Sequence, residues 1–150
     1  MKTVAFFGIK TVYRCLDLSD RLQKIIRSLI EDGFSRFVLQ TNGEFDVIAV
    51  NVLHSLYLRY PQIEIEVHST RETFSNDFIF PEIRIYFYEP DYLYLKPLVT
   101  KKDKEIIAES DFFLCYIDTT IEFEDEFAVL KYLKTQNKTI VNLFEETPRK

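Results

Sequence analysis

RFVLQTNGEFDVIAV, residues 36–50, holds the three signals that decide the fold. Phe37–Leu39 is a short apolar run of the kind buried in a parallel sheet. Gln40–Gly43 is a turn. Phe45, Ile48, Ala49, Val52, Leu53 and Leu56 then recur at spacings of three and four, and Pro61 stops the helix they predict. Strand, turn and helix in this order make the first half of a βαβ unit. The turn has two readings. In one it faces a ligand, with Asp46 near a ribose or base. In the other Gly43 takes positive φ and Asp46 serves the helix dipole. A lone glycine is weaker support for the first than a multi-glycine fingerprint.

The same rhythm continues on both sides. Val4–Phe7 ends in Gly8 and reads as a buried strand. Asp17 or Ser19 can cap a helix carrying Leu22, Ile25, Ile26, Leu29 and Ile30, which Gly33 closes. Ile63, Ile65 and Val67 alternate with glutamates, predicting a strand with one solvated face at a sheet edge. Residues 68–98 break the pattern with Pro81, Pro90 and Pro97, while Ile83, Ile85 and Phe87 alternate as a further strand. A helix over Lys101–Glu109, a strand within residues 111–118, a helix through Phe127, Val129, Leu130 and Leu133, and a strand in TIVNLF complete the chain. These elements predict an α/β fold, a Rossmann-like three-layer sandwich with a mostly parallel central sheet. It is expected as one domain over 1–150 with an insertion around 68–98.

Composition narrows the class. The chain has 150 residues, 47% of them hydrophobic, enough for a full single core. A net charge of −5 argues against broad nucleic-acid or anionic-membrane binding. The N-terminal apolar run is too short for a signal peptide or a span. Two cysteines and two histidines lack ligand spacing, so no metal and no cofactor is expected, and the plain reading is a reduced, cytoplasmic protein. Neither His54 nor His68 has a nucleophile or acid at a recognised spacing, which argues against a triad.

In a sheet of this type ligands bind beyond the carboxyl ends of the strands, where strand order reverses. Three loops converge there by expectation: GIKTVY, QTNGEFD and DTTIEFEDEF. Lys10, Lys101 and Lys102 are either a cationic cluster for an anion or solvated lysines. Glu122, Glu124, Asp125 and Glu126 surround the start of the last helix, where they cap free N–H groups and repel a phosphate. Tyr86, Tyr88, Tyr92 and Tyr94 form either an interface or a half-buried strand and loop.

Several stretches carry a family resemblance: FFGIK at the end of the first strand, QTNGEFD, TKKDKEIIAESDFFLCYID and NKTIVNLF. Through them the chain resembles the SLOG superfamily, most closely its small YpsA-like members, over nearly its whole length outside 68–98. The scaffold positions match and the ligand positions do not. Ile9 and Lys10 stand where the family has His and Arg, Gln40 replaces the first turn glycine, and Asp125 falls where the last turn has glycine. The resemblance implies a nucleotide- or nucleoside-derivative binding or interaction module with a degenerate phosphate site, without the ancestral hydrolase chemistry. It points to Gly8, Lys10, Thr41, Asn42, Gly43, Asp46, Lys101 and Asp118 as ligand-binding residues. The rival readings are an N-glycosidic-bond hydrolase or transferase using Asp118, Glu124 or Glu126, and a structural homo-oligomer built on the tyrosine-rich insertion.

Overall fold

Each apolar run becomes a strand of one sheet. The computed structural model describes residues 1–9, 11–12, 17–89, 97–120 and 125–144. Its strands are β1 (Lys2–Gly8), β2 (Phe34–Leu39), β3 (Glu64–Ser69), β4 (Ile83–Phe87), β5 (Phe112–Tyr116) and β6 (Thr139–Asn142). Its helices are α1 (Leu18–Glu31), α2 (Glu44–Tyr57), α3 (Lys101–Glu109) and α4 (Asp125–Lys134). The strand order is β4-β3-β2-β1-β5-β6, and every pairing is parallel.

The order explains the layers. From β1 the chain moves outward to β2, β3 and β4, then returns past β1 to β5 and β6. Right-handed crossovers running in opposite directions place their helices on opposite faces. On one face Leu22, Ile26, Phe45 and Leu53 pack against Val4, Phe6, Phe37 and Leu39. On the other, Ile106, Ile107, Val129, Leu130 and Leu133 cover Ala5, Phe7, Val38, Phe113 and Cys115. Each Val, Leu, Ile or Phe among them, fully buried, contributes about 1.5–3 kcal/mol. The result is a Rossmann-like α/β sandwich whose strand order reverses between β1 and β5.

Small polar devices set the register. Asp111 N–H donates to the Thr3 carbonyl at 2.9 Å, and the Asp111 carboxylate accepts from Thr3 N–H at 2.9 Å. The Asn142 amide accepts from Ile117 N–H at 3.0 Å and donates to its carbonyl at 2.9 Å, continuing the β5–β6 ladder with a side chain. Asp111 and Asn142, which lie in two of the stretches that carry the resemblance, are therefore framework residues. Gly33, with φ of 99°, is the turn after α1 that glycine makes easy.

Two expectations change. The glutamate-flanked strand β3 is internal, and β4 takes the edge. Glu66 and His68 are buried because Arg36 pairs with the Glu66 carboxylate and His68 is hydrogen-bonded to it, so alternating polarity does not mean solvent here. Gly43 has φ of 167° and ψ of −156°, an extended conformation, so the QTNG turn does not use the left-handed region.

Candidate ligand cleft at the strand-order reversal

A cleft of about 90 Å³ opens at the carboxyl end of β1, lined by Phe7, Gly8, Asn42, Thr73, Leu98, Asp103, Asp125, Glu126 and Val129. This is where an open parallel sheet with reversed strand order presents a crevice. None of its described lining residues is basic.

The turn QTNGEFD is held by its own aspartate. Asp46 is buried and accepts from Gln40 N–H at 3.3 Å and from Asn42 N–H at 3.0 Å. Burial pushes its carboxyl up to about 6, against the opposing pull of those N–H groups and of Lys102. Phe45, one residue earlier, is also buried, its ring stacked on Tyr116 with centroids 5.9 Å apart. Gly8 lies against that ring: a Cβ built on it would stand 2.2 Å from Phe45 Cδ2. Glycine at this place lets β1 and the start of α2 approach.

The remaining predicted residues divide. Gly8 and Asn42 line the cleft, and Gly43 stands just before α2. Thr41 is buried and its hydroxyl shares hydrogen bonds with those of Ser69 and Thr73, 2.7 Å from each, tying the ends of β2 and β3 to the loop beyond. Lys101 is exposed at the first residue of α3. Asp118 accepts from Thr120 N–H at 2.9 Å and from its hydroxyl at 2.6 Å, an Asx turn after β5. Lys10 lies outside the described residues, as do Cys15, Tyr92, Tyr94, Glu122 and Glu124.

Thr73, Leu98 and Asp103 join the cleft without having been singled out from the sequence. Asp103 had a readable signal. Thr100 and Asp103 form a capping box, with Asp103 N–H donating to Thr100 Oγ1 and Thr100 N–H to Asp103 Oδ2, each at 3.1 Å. Thr73 had none, since only the Thr41 hydroxyl network brings it here. Asp125 and Glu126 occupy the first turn of α4, where carboxylates suit the helix dipole.

A second polar feature lies on the α3 side of β3. Arg36 holds Glu66 with two hydrogen bonds of 2.8 Å, Glu66 accepts from His68 Nε2 at 2.9 Å, and His68 Nδ1 shares a hydrogen bond of 2.6 Å with the Tyr88 hydroxyl. Burial raises the Glu66 carboxyl, but the His68 and Arg36 hydrogen bonds win and hold it at about 2. Desolvation, then the carboxylates Glu105, Glu109 and Glu66, raise the Tyr88 phenol, so its hydroxyl keeps its proton. His68 thus has partners that spacing did not reveal, because the residue after β4 supplies one of them. His54 is likewise engaged, bonded to Glu82 and stacked on Phe80.

Among the described residues no helix is long and apolar enough to cross a membrane, and no group of acids, histidines and cysteines is arranged to hold a metal. Set against known proteins, the chain matches no family model and no curated sequence.

Proposed function

We propose that this chain is a Rossmann-like binding module that takes a nucleoside derivative, unphosphorylated, in the cleft at the β1–β5 reversal. In this reading it is a degenerate SLOG-like domain whose phosphate site has been given over to carboxylates. The observation that carries it is the composition of the cleft: Asp103, Asp125 and Glu126 with Asn42 and Thr73, at the position where such sheets bind nucleotides. Carboxylates accept hydrogen bonds from ribose hydroxyls, as the acidic residue of dinucleotide-binding folds does. The same carboxylates repel a phosphate dianion: two unit charges 4 Å apart interact by about 4 kcal/mol at an effective dielectric near 20. At about 90 Å³ the cleft receives one ring, and the rest of the ligand lies across its mouth.

The test is calorimetry with a nucleoside and its 5′-monophosphate on the wild type and on Asp125→Asn/Glu126→Gln. The wild type is expected to prefer the nucleoside and the variant to gain affinity for the monophosphate. A wild type that binds neither, while folded, overturns the reading. A second reading has one supporting observation: Glu126, a candidate carboxylate for N-glycosidic-bond chemistry, lines the cleft. Release of free base from a nucleoside, abolished in Glu126→Gln, would favour it.

A further inference from the structure

The Gln40 side chain is the one place among the described residues where side-chain polar atoms are buried without a partner. Gln40 is 1% exposed, yet neither its carboxamide oxygen nor its nitrogen has a hydrogen-bonding partner. A buried donor or acceptor left unmade costs about 1–3 kcal/mol each, so proteins seldom keep both in one side chain without use for them.

The position of Gln40 connects it to the cleft. It follows β2 directly, and its parity with Val38 puts its side chain on the α3–α4 face. Carrying the Ala5–Val38 register two residues on sets it beside Phe7, and carrying Leu39–Val67 one residue on sets it beside His68. Phe7 lines the cleft, and so does Asn42, two residues along the chain. Gln40 does not itself line the cleft; it stands behind the wall, between two residues that do. Its backbone is pinned because its N–H donates to Asp46, while its side chain keeps three rotatable bonds.

We infer that Gln40 is the specificity-determining residue of this cleft: its carboxamide pairs with a nucleobase edge that presents an adjacent hydrogen-bond donor and acceptor. The inference rests on the nucleoside reading and extends it from sugar to base. A carboxamide is complementary to such an edge and makes two hydrogen bonds to it in one plane, which is how glutamine and asparagine read adenine in DNA. The carboxylates of the cleft hold the ribose, and rotation of the Gln40 side chain toward Asn42 brings the amide to the base. A ligand that supplies both bonds removes the only such deficit among the described residues.

The experiment uses the full chain and two variants, Gln40→Leu and Gln40→Glu. Each is titrated calorimetrically with uridine, 3-methyluridine, adenosine, N6,N6-dimethyladenosine and ribose, with ligand-free melting temperatures measured in parallel. The wild type is expected to bind unmethylated nucleosides about 10–100-fold more tightly than their methylated forms, as bidentate base contacts do. Gln40→Leu should melt higher without ligand, lose that discrimination and keep its affinity for ribose; Gln40→Glu should alter the ranking of the bases. If Gln40→Leu discriminates as the wild type does, the inference falls and the nucleoside reading stands. Should Gln40→Leu melt several degrees lower and still discriminate, the amide serves the fold. A wild type that binds no nucleoside brings down both.

Discussion

Gly8 packs against the Phe45 ring with no room for a methyl group: a Cβ on Gly8 would fall 2.2 Å from Phe45 Cδ2. The contact joins the end of β1 to the first turn of α2, and Phe45 in turn stacks on Tyr116 at the end of β5. Gly8, a ligand-binding candidate from the sequence and a lining residue of the cleft, thus also sets how closely β1 approaches α2. Gly8→Ala is expected to lose about 1–3 kcal/mol by overpacking, a fall in Tm of about 2–10 °C. Adding Phe45→Leu should recover part of that loss, so a double-mutant cycle will show coupling. Additive losses would mean that the ring is not what Gly8 accommodates.

The pH dependence of stability has two limbs of opposite sign. Asp46 is raised from 3.8 to about 6, so the folded state binds the proton more tightly. Its contribution is fully present below about 4 and is lost as pH rises through 6, on the order of 3 kcal/mol. Glu66 is lowered from 4.5 to about 2, so its contribution is present above 4.5 and is lost as pH falls toward 2. Urea denaturation across pH 2–8 should therefore show a maximum between these limbs. Asp46→Asn should flatten the limb between 4 and 6 and leave the acid limb in place. An unchanged profile in Asp46→Asn would show that another group titrates there.

Arg36 and Glu66 are a charge pair in which one partner is nearly enclosed: the Glu66 side chain is 8% exposed and that of Arg36 20%. Removing one leaves the other in a poor environment. Arg36→Met is expected to lose about 3–5 kcal/mol, and Arg36→Met/Glu66→Gln less than that, because the stranded carboxylate is gone. Equal losses in the two variants, measured by urea denaturation, would place the effect in lost packing of the arginine stem.

Cys115 is buried in β5, and burial raises its thiol to about 12. It should resist alkylation in the native protein at pH 8 and react only on global opening, with the Cys115 peptide followed by mass spectrometry. Rapid labelling under native conditions would mean that β5 opens locally.

How much of this was legible beforehand follows from the range of each interaction. The strand at Phe37–Leu39, the helix of Phe45 and Leu53 and the helix of Ile106 and Ile107 are written in local periodicity, so the alternation of strands and helices, and from it the α/β sandwich, came from the sequence by itself. The capping box of Thr100 and Asp103 was equally local and could have been read. The pairing of His68 with Tyr88 could not, since it depends on β4 lying beside β3. Nor could the burial of Glu66, because alternation reports polarity, while neutralisation by Arg36 from the neighbouring strand decides exposure. The tight contact of Gly8 with Phe45 and the unpartnered Gln40 amide exist only once β1, β2 and α2 are brought together. Local sequence determines which segments bury a face, because the apolar pattern acts over a few residues. Which polar groups meet in the cleft was decided by tertiary structure alone, because hydrogen bonds of about 3 Å act only between groups that the chain's long-range packing has already placed.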